Sequence, residues 1–199
     1  MHEIGEICGF IGGAIGIATA LPQVVRIRRL GHSEGLALSP WLLMLIQFAA
    51  WSAFGLKIWS PSILFANVLT FVTTALVVVA ITGSSFKNWF YIALGGLATG
   101  AFVFLAPSFI TDWILIILTG SRFPQLVVTW FNRASAKPTA VSISSLVVAL
   151  TSMAFWMAFA ILTERSLVVA TTSVAIAVTV LTAILESSIA RRATPKVTA

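Results

Sequence analysis

Charge is scarce in this sequence. Asp, Glu, Lys and Arg together make up 9% of its 199 residues, against about 25% in a soluble domain. Such a chain cannot cover its apolar side chains in water. This excludes a soluble enzyme or a soluble nucleic-acid reader, despite a net charge of +6. Cysteine is nearly absent as well: Cys8 stands alone, so no internal disulfide and no cysteine-based metal site can form. The chain has six acids and two histidines. Its apolar stretches hold no paired carboxylates, no histidine cluster and no Ser–His arrangement, so neither an enzyme nor a metal or other cofactor is expected.

Apolar residues are abundant, at 59% of the chain with a mean hydropathy of +1.03. A membrane-spanning helix needs about 20 mostly apolar residues, and seven would use about 140. The sequence divides in that way, with spans expected at Ile4–Ile27, Leu38–Trp59, Ser62–Thr82, Trp89–Ala106, Ile110–Phe131, Val141–Thr163 and Leu167–Ser188. A transmembrane β-barrel would alternate apolar and polar residues, and runs such as "LVVVAIT" (Leu76–Thr82) do not. The expected class is an all-α membrane protein. Its first span is expected not to be a cleavable leader, because "MHEIGEICGF" carries acids where such leaders carry bases.

Sorting the cations by side gives a topology. One side receives Arg26, Arg28, Arg29, Lys87, Arg133, Lys137, Arg191, Arg192 and Lys196; the other receives Lys57 and Arg165. Lys and Arg concentrate in cytoplasmic loops, so the N-terminus is expected outside and the C-terminus in the cytoplasm, in a cell (inner) membrane. The excess base is then a topology signal, with some attraction to anionic lipid, and no nucleic-acid partner is implied.

The chain also repeats itself. "LPQVVRIRRL" (Leu21–Leu30) is echoed by "FPQLVVTWFN" (Phe123–Asn132), with Pro22-Gln23 lying over Pro124-Gln125 at an offset of 102. Further on the offset becomes 105: Ala49, Trp51, Ala53 and Phe54 align with Ala154, Trp156, Ala158 and Phe159. Each copy holds three spans, and the span "NWFYIALGGLATGAFVFLA" (Asn88–Ala106) has no counterpart. Three spans invert the chain and one more restores it, so the two copies can run parallel, an arrangement that transporters use with the substrate site at the repeat interface. The expected organisation is a first repeat over 1–84, a linker helix over 85–108, a second repeat over 109–190 and a basic tail over 191–199.

The two Pro-Gln pairs, and "GHSEGLALSP" (Gly31–Pro40) after the first, resemble the PQ-loop superfamily. The 3+1+3 plan with an outside N-terminus is most similar to the SWEET sugar transporters, whose half-sized bacterial relatives are the SemiSWEETs. In the second copy, "KPTAVSISS" (Lys137–Ser145) lacks the Glu-Gly pair. The resemblance implies a carrier working by alternating access, with hinges at prolines. Pro22, Pro40 and Pro124 match three of these, while Ser145 stands at the fourth. Gln23 and Gln125 belong to the same motifs.

Candidate binding residues follow from the offset. Trp51 and Trp156 sit away from the interfacial belts where most membrane tryptophans lie, and flat indoles suit the apolar face of a sugar ring. Asn67 is an amide inside a span, where facing lipid is expensive; Thr172 is its counterpart, where SWEETs usually carry a second Asn. Gln47 and Ser152, one turn before each tryptophan, share its face, and the resemblance makes them pocket candidates. Thr19 and Ser121, each three residues before a proline, are further candidates. Phe54 and Phe159 stand where the family's outer gate commonly has Tyr. Arg122 is an ionisable residue in a span, hence a candidate in the pathway, although snorkelling to the cytoplasm accounts for it equally.

The leading expectation is facilitated, uncoupled movement of a small neutral sugar, a mono- or disaccharide. Asp112, Glu164 and Glu186 are expected near span ends, leaving no carboxylate relay for protons. The alternative is a PQ-loop carrier of amino acids or other zwitterionic or cationic solutes, because "SRFPQ" (Ser121–Gln125) resembles branches with that cargo. A seven-helix receptor is disfavoured, since the last span has no lysine for a retinal Schiff base. One chain holds both halves of a pathway, so homo-oligomerisation is compatible but not required.

Overall fold

The protein is described by a computed structural model covering residues 1–30, 38–133 and 143–193, with side chains described for 1–18, 38–121, 123–131, 133, 145–189 and 191. No strand occurs among the described residues. The helices are α1 (His2–Leu30), α2 (Leu38–Lys57), α3 (Pro61–Thr82), α4 (Phe86–Leu105), α5 (Ser108–Thr119), α6 (Phe123–Asn132), α7 (Ile143–Leu162) and α8 (Ser166–Ala193). Counting α5 and α6 as one broken rod, six of these are long and apolar enough to cross a membrane, and α1 is a further long helix of 29 residues. Without water, every backbone group must bond internally, and a helix does this within itself. Large apolar side chains accordingly point outward: Phe90, Leu97, Phe102 and Leu105 of α4 are exposed, and Val103 is the one residue of that helix described as buried.

The fifth span is not one continuous helix. Gly120–Arg122 form a 3₁₀ turn between α5 and α6. Pro124 explains it: a proline has no N–H for the carbonyl four residues back and crowds that carbonyl. The Gly120 carbonyl instead accepts the N–H of Phe123, three residues on. Pro22 leaves no such mark, and α1 stays helical through it. Pro40 lies in the first turn of α2, where the missing N–H has no partner to lose.

Two helix ends are built alike. Trp59 (φ 55°) and Glu164 (φ 57°) are the non-glycine residues with left-handed backbone among those described. They follow α2 and α7, and 164 − 59 = 105. At the first, Ser60 N–H bonds Gly55 O at 2.9 Å and Trp59 N–H bonds Leu56 O at 3.3 Å; at the second, Arg165 N–H bonds Ala160 O at 2.9 Å and Glu164 N–H bonds Ile161 O at 3.2 Å. This is the Schellman pattern, in which a left-handed residue lets two orphan carbonyls be satisfied. A left-handed L-residue costs about 1–2 kcal/mol, and the chain accepts that cost at the same place twice.

α1 packs on α3 and α7, α2 on α3 and α4, and α8 on α6 and α7. Small residues let the α1 backbone come close to α7. A Cβ on Gly12 would stand 3.1 Å from the Ser152 carbonyl oxygen and 3.1 Å from the Trp156 ring. The same proximity lets the Ser152 hydroxyl donate to Gly12 O at 2.7 Å.

Polar residues fasten the end of the bundle that carries Lys57. The Glu6 carboxylate accepts the Ser60 hydroxyl at 2.8 Å and the Ser62 N–H at 2.9 Å, capping α3 from another helix, where a negative charge suits the helix dipole. Lys57 Nζ donates to Ala106 O at the end of α4 and to Thr111 Oγ1 at 3.2 Å. Arg165 Nη2 donates to Ile58 O, just past α2, at 3.2 Å. The two cations counted on the sparse side of the topology are thus ligands of helix-terminal carbonyls. Beneath them lies an apolar cluster including Ala53, Phe54, Ile63, Leu115, Phe159 and Val168.

Candidate functional site

Beyond that apolar cluster, away from the Lys57 end, α2, α3, α7 and α8 line an open cavity of about 340 Å³. From α2 and α3 its wall takes Met44, Gln47, Phe48, Trp51, Ile63, Ala66, Asn67 and Thr70. From α7 and α8 it takes Ala149, Ser152, Met153, Trp156, Val168, Thr171, Thr172 and Ala175. Adding 105 to each number of the first set gives the second, so all eight positions pair. Gly13, Gly16 and Thr119 complete the wall.

The repetition extends to ring geometry. Trp51 meets Phe54 edge-on, with centroids 5.5 Å apart and an interplanar angle of 88°; Trp156 meets Phe159 at 5.5 Å and 80°. Edge-to-face packing is the favoured arrangement for aromatic pairs. Phe54 is 7% exposed and Phe159 fully buried. Both lie on the Lys57 side of their tryptophan, and each holds an indole that lines the cavity.

Six of the candidate residues read from the sequence (Gln47, Trp51, Asn67, Ser152, Trp156 and Thr172) share this one wall. Ser121 is not in the wall but touches it, its hydroxyl donating to Gln47 Oε1 at 3.0 Å. Gln125 is exposed on α6 and donates through Nε2 to Thr129 Oγ1 at 3.3 Å. Thr19, Pro22, Gln23 and Arg122 belong to helical backbone, and their side chains lie outside the described residues. The "GHSEGLALSP" loop up to residue 37 and most of "KPTAVSISS" lie outside them too.

One finding departs from the sequence reading and one adds to it. Asn67 does not offer its whole amide to the cavity, because Nδ2 donates to Ile63 O at 2.8 Å. Glu186 lies three residues from the end of the apolar span Ser166–Ile189, near a span end as expected, and is 4% exposed. Its Oε1 accepts the hydroxyl of the fully buried Thr129 at 2.8 Å. Thr129, on α6, sits far enough along the broken span to reach across to α8.

Sequence reasoning missed Met44, Phe48, Thr70, Met153 and Thr171. Helical spacing could have found them, since each lies three or four residues from a named candidate or beside one. Thr119 gave no such signal.

Among the described residues the wall combines two indoles, two amides and five hydroxyls, and none of these residues is ionisable. It suits an uncharged ligand with an apolar face and a polar edge. Among the described residues no group of three or more His, Cys, Asp or Glu could hold a metal ion. No family model matches the chain, and no curated protein sequence matches it.

Proposed function

We propose that this chain is a membrane carrier resembling the SWEET transporters. It would move a small neutral sugar downhill by alternating access between two parallel three-helix bundles joined by α4. One observation carries the reading: eight wall positions recur at an offset of 105 around one cavity with no ionisable residue among those described, and each copy contributes an indole. A repeat interface is where transporters of this plan hold their cargo. The matched Schellman ends of α2 and α7 and the matched Trp–Phe contacts support the same division. A cavity of about 340 Å³ is near the small end of ligand pockets, which favours a monosaccharide over a disaccharide.

Amino acids need a partner for each of their charges where water is displaced, and the described wall residues supply no ionisable group. The charge bias of the loops supports an outside N-terminus and a cytoplasmic C-terminus. Uptake of radiolabelled hexoses into proteoliposomes tests the function. Trp51→Ala and Asn67→Ala are expected to lose most uptake, and Arg122→Ala to keep it. Normal uptake by both cavity variants, or competition by amino acids in place of sugars, would overturn the reading.

A further inference from the structure

We infer that the cavity selects its solute by the solute's hydroxyl protons at four points of its wall, because four of its five hydroxyl protons are already spent. This rests on the sugar-carrier reading and narrows it. A Ser or Thr hydroxyl has one proton and two lone pairs. Thr70 gives its proton to Ala66 O at 2.7 Å, Thr119 to Leu115 O at 2.9 Å, Ser152 to Gly12 O at 2.7 Å and Thr171 to Leu167 O at 2.9 Å. Each of these oxygens can then only accept from a ligand. They belong to four different helices, α3, α5, α7 and α8, so lone pairs meet the solute from several directions.

Donors stand elsewhere in the wall, on other side chains than these four hydroxyls. One Asn67 N–H is used on Ile63 O. Gln47 has its oxygen engaged by Ser121 and offers its NH₂. Thr172 makes no side-chain hydrogen bond among the described residues, so its proton is uncommitted. The indole N–H groups of Trp51 and Trp156 are further donors, and the described wall residues add no cation. A ring carrying hydroxyls around its rim matches these acceptors. An ether, a ketone or a fluorine at the same place would set lone pair against lone pair and leave a buried acceptor unsatisfied.

The test uses the full chain in proteoliposomes. Uptake of labelled D-glucose, D-galactose, D-mannose and D-fructose is measured first. Monodeoxy and monodeoxyfluoro analogues of the best hexose then compete for it. At two or more ring positions the fluoro analogue is expected to compete roughly tenfold worse than the parent and no better than the deoxy sugar. Fluorine keeps the size of a hydroxyl and a weak acceptor, so fluoro analogues that compete like the parent at every position would overturn the inference while leaving the carrier reading intact. Transport of none of the hexoses would instead overturn the carrier reading. Thr70→Val and Thr171→Val remove one acceptor each while keeping the side-chain shape. Each is expected to lower affinity roughly three- to tenfold and to abolish the preference for hydroxyl over fluorine at one ring position. A uniform loss for all analogues would mark these threonines as structural and count against the inference.

Discussion

Ser121 donates its hydroxyl proton to the side-chain oxygen of Gln47 at 3.0 Å, tying the 3₁₀ turn before α6 to the cavity wall on α2. The helix break created by Pro124 is therefore one hydrogen bond away from the binding surface. Ser121→Ala frees the Gln47 oxygen and lets the amide turn. The expected coupling between Ser121→Ala and Gln47→Leu is about 1 kcal/mol in sugar affinity. A double-mutant cycle measures it, and strict additivity would sever the link.

Pro124→Ala restores an N–H that can reach Gly120 O, so the span should straighten. A gain of about 1 kcal/mol in thermal stability and a several-fold fall in uptake rate are expected. Pro22→Ala, in a helix already continuous, should change both less. Unfolding in detergent and initial-rate uptake check the pair; equal effects would contradict a hinge concentrated in the second copy.

Gly12→Leu should separate α1 from α7, because its side chain would run into Ser152 and Trp156. Overpacking of this kind costs about 1–3 kcal/mol, and displacement of the indole should abolish uptake. Ala14→Leu, on an exposed position of α1, is the control and should leave both stability and uptake unchanged.

Glu186 is absent from the cavity wall and binds Thr129. Glu186→Gln keeps an acceptor for that hydroxyl and should be mild, whereas Thr129→Val strips a hydrogen bond from a buried carboxylate and should cost about 1–3 kcal/mol. Sugar uptake should not respond to an imposed proton gradient. Acceleration by inward protons that Glu186→Gln removes would make this residue a proton carrier and end the uncoupled mechanism.

Glu6→Ala should leave the Ser62 N–H and the Ser60 hydroxyl without their acceptor and loosen α1 from α3. The expected loss is about 1–3 kcal/mol, read as a lower unfolding temperature in detergent. An unchanged temperature would mean that water replaces the carboxylate at no cost.

Much of the wall was legible because it lies on regular helices in two copies. Trp51 specifies Trp156 by offset, and Gln47 follows from Trp51 by one helical turn. The orientation of the Asn67 amide was not legible, since a side chain four residues beyond a carbonyl can bond it or turn away. Glu186 was legible in position but not in burial. Its distance from the end of the apolar run was visible, but its burial depends on α6 crossing α8.

Composition alone pointed to helices long and apolar enough to cross a membrane: 59% of the residues are apolar and 9% charged, and helices keep their backbone bonds within themselves. The repeat offset, too, is a property of the linear chain. Thr70, Thr119 and Thr171 give their protons to carbonyls four residues back in their own helices, but tertiary structure decided which helix faces line the cavity. It also decided that Gly12 and Ser152, 140 residues apart, should share a hydrogen bond, since only the packed helices bring those backbones together.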